Sequence, residues 1–216
     1  MTMHFSPEAH AFAVRYLDEL RTCLDELPMD RIAQVADRIL EAYRKGQLVV
    51  LMGNGGSAAT ASHMACDLSK TILGNTPGRT RFRVMSLTDN VPGLTAWAND
   101  VGYEAVFAEP LQAWLQPEDV VIAISGSGNS PNILEGIRVA RSLGAYTIGL
   151  LGFEGGEARL LVDLPVVVPR SNYGIVEDLH MVFGHLITAY LRETLQQQET
   201  LQASHGELES AYPGRW

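Results

Sequence analysis

The sequence predicts an α/β protein: a three-layer sandwich around a mostly parallel, doubly wound sheet. Three observations carry that expectation. Apolar runs of strand length recur along the chain, as at residues 48–52 and 120–124. Segments with helical periodicity separate them. Two of the runs also end in glycine- and serine-rich turns that open helices, Gly53-Asn54-Gly55-Gly56-Ser57 and Ser125-Gly126-Ser127-Gly128-Asn129-Ser130. Strands alternating with helices place parallel strands in one sheet with helices on both faces. An unbroken apolar strand reads as one buried on both sides.

Taken in order, Ser6-Pro7 is a helix start, with a capping side chain and proline at the first helical position. Phe12, Tyr16, Leu20, Cys23, Leu24 and Leu27 then recur at three- and four-residue intervals until Pro28 breaks the pattern. Asp30 is placed to cap a second helix, with Ile32, Val35, Ala36, Ile39, Leu40 and Tyr43 as its apolar stripe, ending near Gly46. These two helices face either the domain or a partner subunit. Strand 48–52 leads to a helix over 57–71, and strand 82–87 to a loop holding Asn99-Asp100. A helix over 103–115, strand 119–124, a helix over 131–143, strand 146–151 and a short strand at 164–168 follow. A long last helix runs from Ile175 past Leu195, and from Gln196 the chain turns polar. One domain over residues 1–200, helical pair included, and a loosely held tail at 201–216 are expected.

Composition narrows the function. A net charge of −9 argues against a nucleic-acid-binding face, which needs clustered basic residues. Cys23 and Cys66 match no metal spacing and no disulfide framework, and Cys23 sits at a helical core position. No basic-then-apolar leader opens the sequence, and its longest apolar runs fall short of a bilayer span. A cytoplasmic protein without membrane contact is the expectation.

Both glycine-rich turns have the layout of an anion site. A helix start leaves backbone N–H groups unpaired and carries the positive end of the helix dipole. The hydroxyls of Ser125, Ser127 and Ser130 add donors, so a phosphate cradle is the reading. Gly53-x-Gly55-x-x-Ala58 also meets a loose dinucleotide fingerprint. That fingerprint wants an acid at the end of the next strand, about 20 residues on. Here the strand ends later, at Ser86-Leu87-Thr88-Asp89, and the second serine-rich loop is foreign to that design.

His63 and Asp67 stand four apart on one helix face, a fragment suited to a divalent metal or an acid–base pair. Glu177 and His185 are eight apart on the last helix, about 80° apart in direction and about 12 Å along the axis. They meet one small ion only with extended side chains reaching toward each other, or across two subunits. His180 points about 140° away from His185 and reads as a hydrogen-bonded structural histidine. Asn99-Asp100, in a loop past a strand end, suits hydrogen bonding to sugar hydroxyls.

With these residues in place, the chain resembles the sugar isomerase (SIS) fold, and within it the phosphoheptose isomerase family, over about residues 6–195. The segments that carry the resemblance are Gly53–Ser57, His63 to Asp67, Asn99-Asp100-Val101-Gly102-Tyr103, Ser125–Ser130, and Glu177 to His185. The resemblance implies a homotetramer with active sites built between subunits and one zinc ion per site. It implies substrate contacts at Asn54, Gly55, Gly56, Ser57, Asn99 and Asp100, and phosphate held by Ser125, Gly126, Ser127 and Ser130. His63, Asp67, Glu177 and His185 fall on metal positions; Asp67, Glu177 and His185 fall on catalytic ones, with Asp67 and Glu177 also at the substrate.

The implied reaction is the aldose–ketose isomerisation of sedoheptulose 7-phosphate to D-glycero-D-manno-heptose 7-phosphate, or of a close sugar phosphate. Its product feeds activated heptose synthesis. Family members carry glutamate where this chain has Asp67, glutamine where it has Glu177, and threonine where it has Gly126. Two alternatives stand beside this reading: a non-catalytic SIS module that binds a sugar phosphate or docks a partner, and an enzyme for another sugar phosphate. Related modules lack a histidine matching His185, which favours the enzyme.

Overall fold

The computed structural model describes residues 6–72 and 80–211, opening with two helices. In α1 (Pro7–Asp25) the Ser6 hydroxyl accepts from the Ala9 N–H, and proline fills the first turn. The second, α2 (Met29–Lys45), begins two residues earlier than a cap at Asp30 predicts. Pro28 stands at its cap position, so Asp30 lies inside the first turn. It ends at Gly46, whose left-handed φ of +65° only glycine adopts without strain.

Strand β1 (Leu48–Gly53) then feeds α3 (Gly56–Cys66). The predicted helix 57–71 is not uniform: its last turn, Asp67–Thr71, is π-helical, and the Ile72 N–H reaches the Asp67 carbonyl. Next come β2 (Arg83–Ser86), α4 (Val91–Asp100), α5 (Ala105–Trp114), β3 (Val120–Ser125) and α6 (Pro131–Ser142). They are followed by β4 (Tyr146–Gly152), α7 (Ala158–Leu161), β5 (Leu164–Val168) and α8 (Tyr173–Ala211).

Helix α4 replaces the loop expected around Asn99-Asp100. Pro92-Gly93 reads as a breaker in sequence, but proline is well placed in a first helical turn, where its missing N–H costs nothing. The Asn90 side chain completes the start by accepting from the Gly93 N–H at 3.1 Å. The last helix continues as far as Ala211, through most of the predicted tail, and residues 212–216 lie outside the described ones.

All five strands are parallel, in the order β2-β1-β3-β4-β5. Alternate residues face opposite layers. Val49 and Leu51 of β1 join Ile122 and Ile124 of β3 beneath α2, α3 and α8. Val50, Met52 and Val121 face α5, α6 and α7. Strands covered on both faces need no polar side, which is why β1 and β3 are buried throughout. The strand order reverses direction between β1 and β3, and a crevice opens at their carboxyl ends, where ligands of such sheets bind. Among the described residues no helix is long and apolar enough to cross a membrane.

Candidate active site

Both glycine- and serine-rich turns lie at that crevice, because they follow β1 and β3, which are neighbours. They line one cavity of about 110 Å³, bounded by Asn54, Ser57, Ile124, Ser125, Gly126, Ser127, Ser130, Tyr173 and Glu177. The second turn is braced from within: the Gly128 N–H donates to Ser125 Oγ at 3.1 Å, and the Asn129 N–H to Ser127 Oγ at 3.2 Å. Ser130 holds the cap position of α6, but its hydroxyl makes no capping bond. A helix N-terminus of this kind favours an anion.

In the first turn, Gly55 takes φ +55° ahead of α3. Asn54 is fixed by a reciprocal amide pair with Asn132, each Nδ2 donating to the other's Oδ1 at 2.9 Å. Tyr103 adds a bond from its hydroxyl to Asn54 Oδ1 at 3.0 Å. Asn132 escapes a reading of the sequence. It stands second in α6 and is buried, a position where polar residues are rare, and that is the only signal it gives. Asn99 and Asp100 end α4 on the surface and bond to each other at 2.8 Å, so Tyr103 is the residue of that stretch that reaches the cradle.

About two turns further along α3 lies a second cluster. His63, Asp67 and His185 offer ligand atoms that all lie within 4.8 Å of one another. His63 Nε2 and His185 Nε2 are 2.9 Å apart, and His63 Nε2 is 3.6 Å from Asp67 Oδ2. Asp67 Oδ1 accepts from the Thr71 hydroxyl at 3.0 Å, a bond across the π-helical turn that orients the carboxylate. Ligands around a tetrahedral zinc, with bonds of about 2.0–2.1 Å, stand roughly 3.3 Å apart. The three atoms bracket that spacing, and two imidazoles meeting Nε2 to Nε2 beside a carboxylate oxygen form a donor set fitted to a divalent cation.

The two helices meet closely because Gly184 lacks a side chain: a Cβ there would lie 2.8 Å from Met64 Cγ. Gly184 and Met64 adjoin His185 and His63 in sequence, so the same contact sets the histidine pair.

Glu177 stands apart from the cluster. Its carboxylate lies against Gly56, where any side chain would overlap it, at the N-terminus of α3. Helices α3 and α8 run side by side, so the rise of about 12 Å between Glu177 and His185 puts one at each end of α3. The start of α8 is tied to α1 by the Tyr16 hydroxyl, which donates to Asp178 Oδ2 at 2.7 Å. That bond, with burial and the Asp178 charge behind it, pushes the Tyr16 pKa up to about 12.

His180 is fully buried on the inner face of α8. Neither ring nitrogen forms a hydrogen bond of normal geometry among the described residues, contrary to the bonded role expected. Burial pushes its pKa down to about 4, offset in part by the nearby Leu151 backbone.

A parallel sheet with two serine- and glycine-lined turns at its switch point defines a ligand-binding α/β fold with helix N-termini suited to an anion. The chain belongs to the SIS-domain family, which residues 15–152 match. Within it, the chain belongs to the phosphoheptose isomerases. It is 39% identical over 165 residues to a phosphoheptose isomerase of Pelobacter propionicus, covering 76% of this chain and 85% of that one. It is 35% identical over 181 residues to a probable phosphoheptose isomerase of Thermoplasma acidophilum, covering 84% and 98%. The solved structure of a phosphoheptose isomerase from Francisella tularensis superposes with a TM-score of 0.79 at 26% identity, covering 86% and 98%.

Proposed function

We propose that this protein is an aldose–ketose isomerase that interconverts sedoheptulose 7-phosphate and D-glycero-D-manno-heptose 7-phosphate, for activated heptose synthesis. One observation carries the reading: Gly56, in the turn that lines the cradle, and His63 of the His63–Asp67–His185 cluster lie seven residues apart along α3, about 10 Å. An extended chain reaches about 1.2 Å per bond, so the six carbon–carbon bonds of a heptose span roughly 7 Å, and the phosphate ester adds the remainder. With phosphate among Ser125, Gly126, Ser127 and Ser130, the C1–C2 end arrives at the cluster. Remote binding energy thereby positions the reacting end. Asn54, Gly55, Gly56 and Ser57 border the chain between the two, while Asn99 and Asp100, on the surface at the end of α4, would have to exchange their mutual bond to meet its hydroxyls.

Asp67 takes the C1 proton of the ketose while His185 gives a proton to O2, and a cis-enediol results. The same groups then return a proton to C2 and remove one from O1, completing the aldose. Glu177, at the cradle end of α3, orients the substrate and stands as the second candidate for the proton transfer. His63, Asp67 and His185 would hold one zinc ion, which would polarise the carbonyl and the developing enediolate, while Glu177, at the other end of α3, lies outside that donor set in this subunit. A homotetramer in the cytoplasm, with sites shared between subunits, completes the proposal. Phe12, Val14, Leu17 and Leu24 of α1 are exposed apolar side chains that such an assembly would cover.

The test is a panel of sugar phosphates assayed for isomerisation with and without added zinc. Zinc-dependent turnover of sedoheptulose 7-phosphate is expected. Turnover of another sugar phosphate alone would replace the substrate, and binding without turnover of any would make the protein a non-catalytic SIS module.

A further inference from the structure

We propose that Tyr173 is a specificity-determining wall of the anion cradle, and that position 126 is glycine because the tyrosine ring occupies its side-chain space. The inference rests on reading residues 125–130 as a phosphate cradle. A Cβ on Gly126 would stand 2.8 Å from both Cδ1 and Cε1 of Tyr173, closer than carbon atoms pack. The ring therefore lies directly on the backbone of the serine-rich turn, and Tyr173 lines the same 110 Å³ cavity as Ser125, Ser127 and Ser130.

The ring is held there from behind. Phe153 meets it edge-on, with centroids 4.8 Å apart and planes at 65°. Phe153 itself has φ +52°, a conformation that bulky residues rarely adopt. Its N–H donates to the Arg170 carbonyl at 3.1 Å, fixing that geometry. Backbone strain of this kind gathers where a clamp for a ligand must be rigid. Here it presents an aromatic edge that pins Tyr173 against Gly126.

A wall in this position does two things. It sets an aromatic ring along one side of the bound anion, although the residue as a whole stays 55% exposed. It also limits the cavity to one tetrahedral oxyanion, so the pocket accepts a terminal phosphate monoester and rejects a diphosphate. The ring, not the hydroxyl, performs both tasks.

The experiment is a thermal-shift titration of the full chain with inorganic phosphate and with pyrophosphate. Tyr173→Ala is expected to bind phosphate several-fold more weakly and to lose its preference over pyrophosphate. Tyr173→Phe stays close to wild type. Gly126→Ala, which evicts the ring, matches Tyr173→Ala, and the double variant is no weaker than Tyr173→Ala alone. Comparing Tyr173→Ala with the double variant gives the answer even where Gly126→Ala folds poorly. The proposal is overturned by wild-type binding in Gly126→Ala, by losses that add in the double variant, by a Tyr173→Phe as weak as Tyr173→Ala, or by wild-type protein that binds no phosphate. Turnover is measured separately. Intact coupling in phosphate binding without isomerisation of sedoheptulose 7-phosphate overturns the reaction and leaves the wall standing.

Discussion

The anion cradle and the His63–Asp67–His185 cluster share one helix and are built by opposite means. The cradle is made of strand ends. Each of its turns is contiguous in sequence, and sheet register alone brings them together, because β1 and β3 are hydrogen-bonded neighbours. The cluster joins His63 to a histidine 122 residues away, and only the packing of α8 against α3 brings them to 2.9 Å. The cradle is therefore as robust as the sheet. The cluster depends on one interhelical distance, set beside it by Gly184 and Met64. Under the proposed function the first region holds the substrate and the second transforms it, and mutations should separate the two.

The largest expected effect lies in the carboxylates. Asp67 belongs to the cluster and Glu177 to the cradle end. Asp67→Asn should lower turnover about 10²–10⁴-fold, the usual contribution of general acid–base catalysis, while Glu177→Gln retains substantial activity and mainly raises KM. Steady-state kinetics on the two variants check this. Loss of turnover in Glu177→Gln with Asp67→Asn active would move the base to the cradle side.

Gly184→Ala tests the interhelical distance. Its new methyl overlaps Met64, and overpacking of this kind typically costs about 1–3 kcal/mol. Zinc affinity, measured by competition with a chelator, should fall, while phosphate binding at the cradle stays at the wild-type level. Equal losses at both would mean that the two regions are one mechanical unit.

The smallest effect concerns His180, which anchors α8 between the two regions. Its folded-state pKa is depressed to about 4, so the unfolded chain takes up the proton first as pH falls. The neutral ring's contribution is complete above the unfolded value of about 6.5 and is lost as pH drops from there toward 4, at up to about 1.4 kcal/mol per pH unit. Urea unfolding at pH 7 and pH 5.5 should show a smaller loss in His180→Leu than in wild type, by about 1.2 kcal/mol. Identical losses would show that burial of this ring does not govern the acid limb.

The difference between the regions also explains what could be read in advance. Apolar runs, the turns at 53–57 and 125–130, and the pairing of His63 with Asp67 are local patterns. Backbone geometry converts them directly into strands, helix starts and a shared helix face. Helix α4 was not legible, because Pro92-Gly93 has the same composition whether it ends a strand or begins a helix, and the Asn90 cap decided the matter. The extent of the last helix was hidden in the same way: a polar stretch carries no periodic stripe, yet it continues to Ala211.

The sequence by itself determined the fold class, the order of the elements and the two glycine- and serine-rich turns at the strand ends. Those depend on interactions within a few residues and on the period of the apolar pattern. Only the tertiary structure decided that Asn132 and Tyr103 hold Asn54, that Tyr173 lies on Gly126, and that Glu177 sits over Gly56 rather than beside His185. Each is a contact between elements far apart in the chain. Its geometry is fixed by how closely two backbones approach, and glycine permits that approach without announcing its partner.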